Sequence, residues 1–248
     1  MEKNPQNEDN SMVTVHMIAY NEEKIIQFMI EKYRKYLPNC KIIIYDNEST
    51  DNTRQIALDN GCSVLSYNTN NELSDSAYLN IKNNCWKSSE TNWNILCDCD
   101  ELAAITEDDI IYEEKLGSNI ISFEGYSLMN NSDYIDMYKI NYGFQDKSYN
   151  KHYLFNKQQI KEINYMPGCH TSNPVAISGF NIKFSEKKYK ALHFKYLSPQ
   201  YTIERNHLFA NRLSQENKDK TWGIHYNFSD QSVIDFYNKM SKKLEKVI

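Results

Sequence analysis

No apolar run in this 248-residue chain approaches the ~20 residues that a membrane helix needs. The opening "MEKNPQNEDNS" lacks the apolar core of a signal peptide, and residues 1–11 are expected to form a disordered tail. Basic charge is not in excess. Lys and Arg number 28 against 33 Asp and Glu, for a net charge of -5. That excludes a general nucleic-acid binder, which needs a basic face. It leaves room for a local basic pocket that takes one small phosphorylated ligand. The six cysteines (40, 62, 85, 97, 99 and 169) include no CxxC pair, and several sit in apolar strand-like runs. They are expected to be buried free thiols of a cytoplasmic protein. Glycine is scarce, at 7 residues, beside heavy use of Asn, Lys, Ile and Tyr. This has the look of codon bias and carries no message about fold. No internal repeat or low-complexity linker is visible. What remains is an ordinary globular mixture, 40% hydrophobic and 25% charged, of a size for one large domain or two small ones.

The apolar pattern predicts strands at 12–19, 40–46, 62–67 and 92–101. Between them it predicts helices at 22–36, 52–61 and 74–89, the first stopped by Pro38 and the second ending on Gly61. The order β-α-β-α-β-α-β predicts an α/β fold, a parallel sheet with helices on its faces. Beyond residue 105 the pattern is less regular. Strands are expected at 119–129 and 190–198, and a strand–turn–strand at 149–165. Loops and short strands are expected at 167–184, with helices at 198–216 and 229–247. This half is expected to add a mixed flank that holds a second substrate.

Three of the first four strands end in acid and amide: Tyr20-Asn21-Glu22, Asp46-Asn47-Glu48 and Asp98-Cys99-Asp100. In an open parallel sheet, ligands bind outside the carboxyl ends of the strands. One acidic end is ordinary; three converging ends predict a site. Asp98 and Asp100, two apart on a strand, are expected to face the same side and address a hard divalent cation, Mg²⁺ or Mn²⁺. Such an ion would neutralise a diphosphate leaving group. The motif alone is weak, since DxD also arises by chance.

"AYNEE", "YDNESTDNT" and "ILCDCDE", in this order and spacing, resemble the nucleotide-sugar-binding half of GT-A fold glycosyltransferases of the family-two superfamily. The resemblance covers residues 12–105. Beyond it, "YNKHYLFN", "GCH" and "LHFKYLS" resemble a branch with a DxDE motif and late histidines. The resemblance implies one GT-A domain over 12–248. A nucleotide-sugar half would occupy 12–105 with a Rossmann-like, mostly parallel sheet, and an acceptor-side half 106–248. It implies that Tyr20 lies against the nucleobase, beside Asn21 and Glu22, and that Asp46 or Asn47 reads base or ribose. Asp98 would meet the ribose or a metal-bound water, with Cys99 beside it, and Asp100 would bind the metal. Lys82, with Asp75 nearby, would approach the diphosphate, although an exposed lysine is the ordinary alternative.

Among the six histidines, His16 lies inside the first strand and reads as core. The resemblance calls for a late histidine in the metal shell. His193 is the first choice and His170 the second; the plain alternative for each is a buried, hydrogen-bonded imidazole. Trp222 and His225 in "TWGIHYN" suit stacking on a sugar or the packing of a loop. Transfer by inversion needs a general base. The usual Glu-Asp pair is missing, which leaves His170, Asp133, Asp136 and Asp146, with Glu124 in the same region. The implied activity is metal-dependent transfer from a nucleotide diphosphate sugar, UDP first, to a hydroxyl of a glycan, glycolipid or small molecule, with inversion. The rivals are a degenerate carbohydrate-binding scaffold and a phosphatase of the haloacid-dehalogenase type. The phosphatase would carry its DxD after the first strand, not the fourth. A sugar-nucleotide pyrophosphorylase would want a Gly-rich basic stretch where "AYNEEK" stands.

Overall fold

The structure is a computed structural model and describes residues 11–248; the expected tail at 1–11 lies almost wholly outside the described residues. Its first half alternates β1 (Val13–Ala19), α1 (Ile26–Tyr36), β2 (Lys41–Asp46), α2 (Thr53–Asp59), β3 (Ser63–Ser66), α3 (Asp75–Asn84) and β4 (Trp93–Asp98). Six β-branched or apolar residues, interrupted only by His16, make β1 a strand, and all seven of its residues are buried, as befits a strand covered on both faces. β2 alternates half-buried and buried positions nearer the edge. Ser74 caps α3 by accepting from the Ala77 N–H at 3.3 Å. Gly61 takes φ +66° just past α2, the left-handed position that ends a helix.

β3, β2, β1 and β4 are parallel neighbours. Their register pairs Ala19 with Asp46, and Ile18 with Asp98. The residues that follow β1 and β4 therefore lie side by side at one end of the sheet.

The second half contains β5 (Glu101–Ala104), α4 (Glu107–Lys115), β6 (Ile120–Met129), β7 (Tyr142–Gln145), β8 (Leu154–Asn156), β9 (Ile160–Glu162), β10 (Val175–Ala176) and β11 (Phe184–Tyr196). It closes with α5 (Pro199–Arg212), α6 (Gln215–Asp219), α7 (Asp230–Met240) and β12 (Glu245–Lys246). β8, β6, β7 and β12 continue the sheet beyond β4, antiparallel at each step. β11 runs parallel to β6 and antiparallel to β5. One ten-stranded sheet thus passes through both halves, parallel in the first and mixed in the second.

Four expectations change. The strand expected at 92–101 ends at Asp98 and resumes as β5 after a turn at Cys99-Asp100. The strand expected at 190–198 begins at Phe184, because it pairs with β6 along its length. The helix expected at 198–216 breaks at Leu213. There the Ser214 N–H donates to Leu73 O at 3.0 Å, and the Ser214 side chain caps α6. The helix expected at 229–247 stops at Met240, and its end pairs as β12 with β7.

Candidate functional site

A cavity of about 290 Å³ opens at the ends of β1 and β4. Its floor is the turn Asp98-Cys99-Asp100, which leads into Glu101. The turn is rigid for local reasons. The Asp98 N–H donates to Glu101 Oε2 at 3.2 Å, and Cys99 is fully buried. Behind it, the Tyr33 hydroxyl of α1 donates to Glu101 O at 2.8 Å and accepts from the Ala103 N–H at 3.3 Å.

Because β4 ends at Asp98, the two aspartates do not share one strand face. Asp98 pairs with Lys82 Nζ at 2.6 Å, whereas Asp100 meets His193 Nε2 at 3.3 Å and Arg205 Nη2 at 3.2 Å. Burial works to raise the Asp100 pKa. His193, then Arg205 and Lys195, outweigh it and hold the carboxyl well below the usual range. Burial likewise opposes the charge of Asp98, and Lys82 and Lys151 overcome it. Lys151, buried, pairs with Glu101. Two lysines thus sit under the acids, and both favour the charged form of Asp98.

The roof is α5. Its buried face carries Tyr201, Arg205 and Phe209 one turn apart. Arg205 Nη1 donates to Glu22 Oε2 at 2.5 Å, so one guanidinium ties the end of β1 to Asp100. Burial raises the Glu22 pKa to about 7, against the pull of Arg205. Sequence reading missed Arg205. Its signal was an arginine in register with the apolar face of an amphipathic helix.

Tyr20, Glu22, Asp75 and Cys99 line this cavity beside the two aspartates. His170, His193, Trp222 and His225 line it from the second half. Asn21, Asp46, Asn47 and Lys82 do not. Asp46 is 1% exposed and accepts from the Ser49 N–H, and Asn47 donates to Thr69 Oγ1 at 3.0 Å. Asn21 donates to Thr50 Oγ1, and Lys82 lies under Asp98.

His193 is buried in β11, with its ring 4.0 Å from that of Tyr149. Burial, and then Lys151, lower the His170 pKa to about 4, so that imidazole is neutral at pH 7. Gly168 makes room for the His170 ring. A Cβ at Gly168 would stand 2.7 Å from His170 Cδ2, and φ is +75° there. His16 is core, as expected, between Tyr45 and Asn94.

A second cavity, about 540 Å³, shares Tyr149, His170, Lys195 and His225 with the first. Tyr196, Phe228 and Phe236 give it aromatic walls, and Asp146 stands at its side. The Asp146 carboxylate accepts from Ser127 Oγ at 3.1 Å and from the Ser148 N–H at 3.1 Å. Asp133, Asp136 and Glu124 line neither cavity, and Asp136 pairs with Lys139 at 3.0 Å.

Two carboxylates and an imidazole have the right chemistry for a divalent ion. The 3.3 Å between Asp100 Oδ2 and His193 Nε2 suits adjacent ligands of one ion, which stand roughly 3 Å apart when bonds are ~2.1 Å long. Asp98 would join them only by turning from Lys82. Among the described residues, no three His, Cys, Asp or Glu side chains already converge on one point. The pair fits, and the third ligand needs a side-chain rotation.

The model of the Glycosyl transferase family 2 matches residues 14–104. Protein RfbJ of Shigella flexneri is 39% identical over 54 residues, which are 22% of this chain and 42% of that protein. The match thus spans less than half the length of that relative. Among solved structures, S. aureus TarS in complex with UDP is 16% identical, over 88% of this chain and 73% of that one, with a TM-score of 0.46. Glucosyl-3-phosphoglycerate synthase from Mycobacterium tuberculosis, in complex with Mn²⁺, UDP and glucosyl-3-phosphoglycerate, is 17% identical over 48% and 44% of the two chains, with a TM-score of 0.34. The stretch 14–104, which holds most of β1 through β5 and the carboxylate turn, is thus similar to glycosyl transferase family 2.

Proposed function

We propose that this protein is a glycosyltransferase that moves a sugar from a nucleotide diphosphate sugar, UDP-linked first, to an acceptor hydroxyl. The observation that carries this is the Asp98-Cys99-Asp100 turn within the family-two stretch, at the meeting point of β1 and β4 and roofed by Arg205. A carboxylate turn facing cations is suited to hold a diphosphate through a bridging ion, and to hold it in fixed orientation.

Asp100 and His193, joined by Asp98, would bind Mn²⁺ or Mg²⁺, and the bound ion would neutralise charge on the departing diphosphate. The nucleoside lies toward Tyr20 and Asp75. Asp46 and Asn47 act behind the wall: they fix the loop after β2, and any effect on the base runs through that loop. Lys82 and Lys151 pair with Asp98 and Glu101 from below, and both favour the charged form of Asp98. Arg205 holds Asp100 and Glu22 in one geometry.

The acceptor enters through the second cavity, whose aromatic walls suit the apolar face of a sugar ring. Trp222 and His225 stand at the wall of the first cavity, near the donor sugar. Two groups remain for the base, Asp146 and His170. Both border the second cavity, and burial weakens His170 as a base relative to an ordinary imidazole. Inversion is favoured by the family resemblance. No described helix is long and apolar enough to cross a membrane. The six free thiols suit a reducing, cytoplasmic setting.

The test is a thermal-shift screen of nucleoside diphosphates with and without Mn²⁺. A ligand at a hundred times its Kd should stabilise the fold by about 2.7 kcal/mol. UDP with Mn²⁺ should raise Tm most. No shift with any nucleotide would contradict the proposal.

A further inference from the structure

Beside the first cavity stands a cation that the chemistry above does not use. Arg212 ends α5 and is 5% exposed. Its Nε donates to Asn71 O at 3.0 Å and to Asn71 Oδ1 at 3.1 Å. The Tyr20 hydroxyl donates to the same Oδ1 at 3.0 Å. The guanidinium carbon lies 3.1 Å from the centre of the Tyr20 ring, so the group is stacked flat on the tyrosine. Both terminal nitrogens, Nη1 and Nη2, are buried and have no hydrogen-bond partner among the described residues. The buried Tyr67 hydroxyl lacks a hydrogen-bond partner too.

Four N–H bonds of a cation left without acceptors are costly, and native structures rarely tolerate them. The group is not free to turn away. The loop before it holds Asn70 and Asn71 at φ +53° and +61°. The Leu73 N–H donates to Arg212 O at 2.5 Å, and the Ser214 N–H donates to Leu73 O at 3.0 Å. Loop and helix end are strapped together and hold the guanidinium edge fixed, with its donors buried and unpaired. What the arrangement lacks is a pair of oxygen acceptors.

We propose that Arg212 reads the nucleobase: Nη1 and Nη2 donate to the carbonyl oxygens of a base held at Tyr20. This rests on the nucleotide-sugar reading above and adds to it the residue that sets base preference. The diphosphate is the other source of such acceptors. It is disfavoured because the acidic turn has its own cations, Arg205 and Lys82. Uracil carries two carbonyls. Adenine carries none and would turn an amino donor toward the cation. The ligand class is therefore a nucleoside diphosphate with an oxo base.

The experiment is calorimetric titration of UDP, ADP and inorganic pyrophosphate into wild type, Arg212→Met and Arg212→Lys, in Mn²⁺ buffer, with the Tm of each variant recorded. Wild type should prefer UDP over ADP by about ten- to a hundredfold, the range of a good bidentate base contact. Arg212→Met, which keeps the apolar cover on Tyr20, should lose that preference while its pyrophosphate affinity stays. Arg212→Lys keeps the charge without the fork and should recover the preference only in part. Equal loss of UDP and ADP in both variants would reduce Arg212 to a strap and overturn the proposal. A fall in pyrophosphate affinity parallel to that of UDP would overturn it in favour of a diphosphate contact. If wild type bound none of the three, the nucleotide reading itself would fall, and this inference with it.

Discussion

His16 shows how a single side chain can be placed by sequence and still hold information that sequence does not give. Its position in the middle of β1 marked it as core. Its partners, Asn94 at 3.0 Å and Tyr45 at 3.2 Å, come from two other strands. Burial lowers its pKa to about 4. The unfolded chain takes a proton near pH 6.5, and the folded chain does not until about pH 4. Stability from this group is therefore complete above pH 6.5 and is lost as pH falls toward 4, by about 3 kcal/mol in all. His16→Gln keeps a donor for Asn94 but cannot titrate. Its unfolding free energy, measured in urea between pH 7 and 4, should fall less steeply than that of wild type. Equal slopes would show that other groups carry the acid sensitivity. The nearness of His193 to Asp100 was reachable from sequence, because the family resemblance implies a late histidine beside the acids. Arg205, Lys151 and Tyr149 were not. A cation or aromatic ring reveals its role only when the fold brings its partner from 50 or more positions away, as with Lys151 and Glu101.

Among the elements, the β-α alternation of the first half was legible because each strand has an apolar centre and each helix has a Ser, Gly or Pro at its end. The stretch 101–115 was not read, although "TEDD" is a capping signature. Thr106 Oγ1 accepts from the Asp109 N–H at 3.2 Å, and Asp109 Oδ2 accepts from the Thr106 N–H at 3.2 Å. The length of β11 was hidden by its charged residues Glu186, Lys187 and Lys188, which are exposed on a strand paired to β6. α5 matters most to function, since it holds Arg205 and Arg212. Ser198 caps it by accepting from the Tyr201 N–H at 3.0 Å, with Pro199 in the first turn. Ser198→Ala should cost about 1 kcal/mol in chemical denaturation. It should also weaken UDP binding, because the frayed turn includes Tyr201, which packs beside Arg205. Unchanged UDP affinity in a destabilised variant would show that the roof does not depend on its first turn.

For the molecule as a whole, the consequence of the fold is that two halves of different pattern share one sheet and one cleft. The stretch that matches the family-two model supplies the floor, with Asp98 and Asp100. The later residues supply the roof and the second cavity, with His193, Arg205 and Asp146. The floor was legible from motif order. The roof was not, because its residues lie on helices and loops with no fixed spacing from the DxD. The claim that joins them is that Asp100 holds the metal–diphosphate end of the ligand while Arg205 and His193 hold Asp100. The direct test is titration of UDP into wild type and Asp100→Asn, each with and without Mn²⁺, with folding checked by circular dichroism. Wild type should bind UDP more tightly with Mn²⁺. Asp100→Asn should remain folded and lose that gain, by about 10-fold or more. Mn²⁺-dependent UDP binding that survives in Asp100→Asn unchanged would contradict the account.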